Sequence, residues 1–180
     1  MKKILLTFVL VLTGFAAFGQ ADHFFAHKSG KFTLKMDAMG QTMETQTVFD
    51  DYGAKQWSST SVMGQKVTTL FTDGKSYMLT PQFQEVPAQD MVNYMALTPE
   101  IIEQYDIKMV GIENIDGYDC MVYTLKINQQ GMEGKGKTWI WDGFSIRAEV
   151  NIMGMTIVTR LTKLETDIPV DQSLFILPNK

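Results

Sequence analysis

Two histidines and one cysteine are the residues most able to do chemistry in this 180-residue chain. His23 and His27 stand four apart beside Asp22, a spacing that a helix would turn into a weak metal site. The competing reading is an amphipathic turn near a chain end, with Phe24 and Phe25 packed on a sheet. A single cysteine, Cys120, excludes an intramolecular disulfide framework and a cysteine-cluster zinc site. A small buried hydrophobe is its ordinary role; an intermolecular disulfide and a reactive thiol are the alternatives. Gly131–Lys137 has the residue types of a phosphate cradle without the strand–loop–helix order, and reads as a flexible hairpin loop. The acids are dispersed: Asp50-Asp51 in a turn, Glu100 and Glu103 on a helix. No nucleophile–histidine–acid set is spaced for catalysis. The expectation is a non-enzymatic protein with no catalytic residue, cofactor or metal.

Any site must be positioned by the mature chain, and the first nineteen residues read as something else. Met1-Lys2-Lys3 is a basic start, Ile4 to Phe18 an apolar run, and Ala17-Phe18-Gly19 a small-residue cleavage pattern. That is the layout of a secretory signal peptide over 1–19, too short in its apolar part to span a bilayer at ~20 residues. Residues 20–180 are then one domain, periplasmic or secreted. With 16 basic and 20 acidic residues the chain carries −4; loss of Lys2 and Lys3 takes it to −6. An acidic domain without basic–aromatic clusters is not built for nucleic acid.

The mature sequence is patterned as strands. Lys31 to Ala38 alternates Phe32, Leu34, Met36 and Ala38 against Lys31, Thr33, Lys35 and Asp37, the period of a half-buried strand. Strands follow at Gln41–Phe49, Lys55–Val62, Gln65–Phe71 and Lys75–Leu79, with Asp73-Gly74 as a tight turn. Residues 80–106 differ. Met91, Val92, Tyr94 and Met95 fall on one face of a short helix. Thr98-Pro99-Glu100 starts a second, with a capping hydroxyl and proline at its first position. Strands resume at Ile107–Glu113, Tyr118–Ile127, Thr138–Trp141, Ile146–Ile152 and Met155–Leu161. Such spacing predicts a mainly β, α+β architecture: a large curved antiparallel sheet or half-barrel with one or two short covering helices.

Thirteen methionines are the compositional excess. Met39-Gly40, Met63-Gly64 and Met153-Gly154 each sit at a hairpin centre, either as independent turns or as three methionine-bearing tips on one rim. Met36, Met43, Met63, Met121, Met155, Phe32, Trp57, Tyr123, Trp139 and Trp141 either fill a core or line a cavity. The ligand-binding candidates are Trp57, Met91, Met95, Met121, Tyr123, Trp139 and Trp141.

Three local patterns carry a resemblance. Ile115-Asp116-Gly117-Tyr118-Asp119-Cys120-Met121-Val122-Tyr123 resembles an I-x-G-Y-x-C-x-x-Y stretch of small secreted bacterial proteins. Trp139-Ile140-Trp141-Asp142 with the strand Ile146–Ile152 is similar to their tryptophan-bearing strand pair. Val170 to Pro178 resembles their D-x-S-x-F-x-L-P close. Together these resemble the LolA/LolB/LppX-like lipoprotein-carrier superfamily, in an uncharacterised secreted branch. That resemblance implies an incomplete β-barrel whose helices lid an apolar cavity holding acyl chains or lipidated proteins. The carriers share an arginine linked to cavity closure, whereas Arg147 and Arg160 both fall on the polar face here. The functional expectation is a periplasmic or secreted protein holding a lipid, acyl chain or other apolar ligand between sheet and helices. A lipid or lipidated protein is the partner, with peripheral envelope association. The alternative is an envelope structural or interaction protein with a filled core.

Overall fold

The computed structural model describes residues 23–38, 40–62, 64–86, 92–129 and 132–178. The signal-peptide reading, Asp22, Met39, Met63 and Met91 lie outside the described residues. Eleven strands form one antiparallel sheet: β1 Gly30–Ala38, β2 Gln41–Asp50, β3 Lys55–Val62, β4 Gln65–Thr72, β5 Lys75–Thr80, β6 Gln84–Val86, β7 Lys108–Ile115, β8 Tyr118–Gln129, β9 Met132–Trp141, β10 Phe144–Ile152 and β11 Met155–Thr166. Their order is β6-β5-β4-β3-β2-β1-β11-β10-β9-β8-β7, so the sheet is open and curved, with β6 and β7 at its edges. The chain meanders outward from β1, crosses through the helix α1 (Pro99–Tyr105) to the far edge, and meanders back until β11 pairs with β1. The mainly β, curved-sheet expectation is what the structure shows.

The hairpins are tight because their turn residues accept left-handed backbone. Asp73, Asp116, Asp142 and Met153 all have φ near +50°, each followed by a glycine with positive φ. Two such residues make the turn whose twist matches the strands it joins. Met153-Gly154 therefore does the same work as the Asp-Gly pairs.

Register divides the sheet into two faces. Met36, Thr159, Ala148, Thr138 and Tyr123 lie side by side across β1, β11, β10, β9 and β8. Tyr123 packs with Ile101 of α1, so this is the helix side. Lys35, Arg160, Arg147, Trp139 and Val122 are partners on the other face. That second face is not simply polar. Val122 is fully buried there, and so is Leu70, the register partner of Trp57. The C-terminal 3-10 turn Gln172–Phe175 contacts β3 and β4, with Asp171 accepting from the Ser173 amide at 2.9 Å.

Two local readings are corrected. The Gly131–Lys137 loop is strand from Met132 onward, and Gly134 and Gly136 pair with Ile152 and Val150. A Cβ at Gly134 would sit 2.7 Å from Asn151 O, and one at Gly136 3.0 Å from Leu125. The glycines are there because neighbouring groups occupy their space. No helix forms over the described residues 92–97. Asn93 Oδ1 accepts from the Met95 amide at 2.9 Å, and Asn93 Nδ2 donates to the His23 carbonyl at 3.1 Å. A side chain that bonds local backbone in this way competes with helix formation. The predicted start at Thr98 is real: its hydroxyl accepts from the Ile101 amide at 3.4 Å, with Pro99 first in the helix.

Candidate apolar-ligand site

A half-enclosed apolar cavity of about 100 Å³ lies on the helix side of the sheet. Its floor is Phe32 and Leu34 of β1, Leu161 of β11, Ile140 of β9, and Phe144 and Ser145 of β10. Its walls come from outside the sheet: Phe24 and Phe25 on one side, Val92, Asn93 and Tyr94 on the other.

The phenylalanine wall is held by backbone and charge. The Phe24 and Phe25 amides both donate to the Tyr52 carbonyl, at 2.8 and 3.1 Å, and the Ala26 amide donates to the Asp142 carbonyl at 3.1 Å. Phe25 stacks on Phe144 at 4.3 Å and meets Phe49 edge-on at 4.8 Å, which makes it the hub of the aromatic core. Gly143 is required beside it. Its φ is +86°, and an added Cβ would overlap the Phe24 carbonyl oxygen.

His27 anchors the same segment between two carboxylates. Its Nδ1 lies 2.7 Å from Asp167 Oδ2, and its Nε2 lies 3.5 Å from Asp142 Oδ2. The hydrogen bond from His27 holds the Asp167 carboxyl below its ordinary range, helped by the Lys28 amide. His23 stacks flat on Tyr52 at 4.0 Å. Among the described residues no cluster of histidine, cysteine and acids is placed to hold a metal ion. Cys120 is fully buried; burial first, then Asp119, pushes its thiol pKa up, the opposite of what a reactive thiol needs.

The second wall is tyrosine-rich. Tyr94 and Tyr123 lie 5.1 Å apart, within a cluster that includes Ile107, Ile140, Leu97 and Ile101. Burial, and secondarily Tyr123, pushes the Tyr94 phenol pKa up, so it stays a neutral hydroxyl.

The sequence candidates divide between the faces. Tyr123 and Met121 are together on the helix side, with the Tyr123 hydroxyl donating to Met121 Sδ at 3.4 Å. Exposed Met95 reaches the Gly143 turn beside Phe24. Trp141 packs on Tyr118 at 4.9 Å and on the Phe144 side of the core. Trp139 lies on the opposite face, where Lys137 and Arg147 sit over its ring at 4.5 and 5.2 Å. Trp57 is also on that face, with Lys66 at 5.9 Å. Phe24, Phe25, Leu34, Ile140 and Leu161 line the cavity, though residue type alone does not single them out as binding residues. Ile140 lies between two tryptophans and so faces away from both, which strand alternation alone signals.

No protein-family model matches the sequence, and a search of curated proteins finds no match. Solved structures do share the fold. An uncharacterised conserved protein from Thermus thermophilus aligns over 85% of this chain and 87% of its own, at 11% identity and a TM-score of 0.59. A chain of the Pseudomonas aeruginosa MucA/MucB complex aligns over 83% of this chain at 15% identity and a TM-score of 0.54. The present chain spans 56% of that protein's length. A LolA superfamily protein from Nitrosomonas europaea aligns over 85% of this chain and 92% of its own, at 10% identity and a TM-score of 0.48. What the likenesses share is the fold, here an open antiparallel sheet with one short helix among the described residues.

Proposed function

We propose that this protein is a non-enzymatic binding protein, exported after loss of a leader at residues 1–19. It holds an acyl chain, free or on a lipidated partner, between the sheet and residues 92–105. The observation that carries this reading is the apolar cavity between Phe24, Tyr94 and Ile140. Its volume of about 100 Å³ is below the ~300–1,000 Å³ of typical small-molecule pockets, so binding requires the cover to move. Among the described residues, Asn93 ties the cover to the N-terminal segment by a side-chain bond to the His23 carbonyl. Binding would draw on apolar burial at ~25 cal/mol per Å². The fold relative from the MucA/MucB complex assembles with another protein, which supports a protein as one class of partner.

The test is uptake of a fluorescent fatty-acid probe by delipidated protein. Uptake that weakens on Ile140→Asp, with folding checked by circular dichroism, supports the proposal. No uptake, and no lipid in native mass spectra, overturns it. The small cavity favours one competing reading, an envelope interaction protein with a nearly filled core. A stable partner recovered without co-purified lipid would establish that reading instead.

A further inference from the structure

Exposed large hydrophobic residues are concentrated at the β7 edge: Met109, Val110 and Ile112 on β7, Met121 on β8, and Ile102 on α1. An exposed apolar edge strand invites pairing and is normally guarded by charge, so it calls for a reason. Register supplies one. Ile112 pairs with Met121, and Met121 pairs with Ile140. Along this line exposure falls from 67% to 39% to 1%, ending at a residue that lines the cavity. The three side chains lie on one face, spaced by the ~4.8 Å between strands.

A bulge widens this path. Register slips between Met109 and Gly111, which leaves Val110 as the extra residue. Met109 thereby lies opposite Tyr123, on the same face as Ile112 opposite Met121. In an unbroken strand, residues three apart would face opposite sides. The charged residues of the region, Lys108, Glu113, Lys126 and Lys137, alternate onto the other face.

The cavity cannot hold a long chain alone. At about 100 Å³ it falls short of the ~300–1,000 Å³ that encloses a typical small-molecule ligand. The rest of a chain needs apolar surface continuous with the cavity, and Met121, Ile112 and Met109 provide it. We propose that a long acyl chain binds with its end in the cavity and its remainder along Met121, Ile112 and Met109, leaving its head group at the β7 edge. This rests on the acyl-chain reading above and adds the route and the preference for chain length.

The test compares palmitic and octanoic acid on delipidated protein by probe displacement. Ile112→Asp combined with Met121→Gln should lower palmitate affinity about tenfold and leave octanoate affinity unchanged, shrinking the preference for length. Met153→Asp, at an exposed methionine of the β10–β11 hairpin, should change neither. Palmitate binding unaffected by the double variant overturns the route while leaving the cavity reading intact. A double variant that instead changes oligomeric state in native mass spectra, with palmitate binding preserved, identifies the strip as a contact between copies and also overturns it. Failure of wild type to bind either acid removes both proposals.

Discussion

The Trp139 indole N–H on β9 donates to the Glu113 carboxylate on β7 at 2.7 Å, reaching across β8 on the face away from the helix. Lys137 completes the group, with its ammonium 3.0 Å from the same carboxylate. The indole bond first, then Lys137, holds the Glu113 carboxyl below its usual range. A depressed carboxylate adds stability above its unfolded pKa of ~4.3 and loses it as pH falls through the folded value. Trp139→Phe should return the Glu113 pKa upward in an NMR titration and flatten the acid limb of the stability curve. Fatty-acid uptake should not change, because Trp139 faces away from the cavity.

His27 and Asp167 make a parallel case at the N-terminal segment. His27→Ala should raise the Asp167 pKa toward ~3.9, since the hydrogen bond that depresses it is gone. The Phe24 and Phe25 amides, bonded to the Tyr52 carbonyl, should then exchange faster with deuterium. Unchanged exchange would show that Phe25 stacking alone holds the segment.

Thr45 and Thr60 share a buried hydroxyl bond at 2.6 Å across β2 and β3. Removing one partner strands the other away from water. Thr45→Val or Thr60→Val alone should cost ~1–3 kcal/mol in urea denaturation, and the double variant less than the sum.

Gly143→Ala forces a left-handed backbone position and an overlap with the Phe24 carbonyl. A loss of ~1–3 kcal/mol is expected, read as a lower melting temperature. Phe24 must shift to accept the methyl group, so changed chemical shifts should centre on the cavity wall.

Much of the fold is legible in the sequence. Phe32, Leu34 and Met36 alternate cleanly, the Asp-Gly turns need positive φ, and Thr98-Pro99 starts a helix. The site is less so, because alternation separates two faces without saying which is covered, and here the second face is covered in part, at Leu70 and Val122. Trp57 and Trp139 have the composition of a binding surface, yet their register partners Leu70 and Val122 are buried on the far side. Bulges hide more: the slip at Val110 moves Met109 across the sheet, and no pattern of residue types announces it. Asn93 shows a third limit, since one side-chain amide bonding nearby backbone overrules an apolar helical spacing.

The pairing of β1 with β11 has a consequence for the order of assembly. Gly30 meets both Phe49 and Thr166, so the strand at the sheet's centre belongs to its first hairpin and to its last. A chain emerging from its amino end completes β1 and β2 early, then must leave the other side of β1 unpaired until residue 155 onward arrives. Long-range closure of this kind slows folding and exposes an unpaired strand meanwhile. The seam makes the last strand the one that turns two independent meanders into a single cooperative unit.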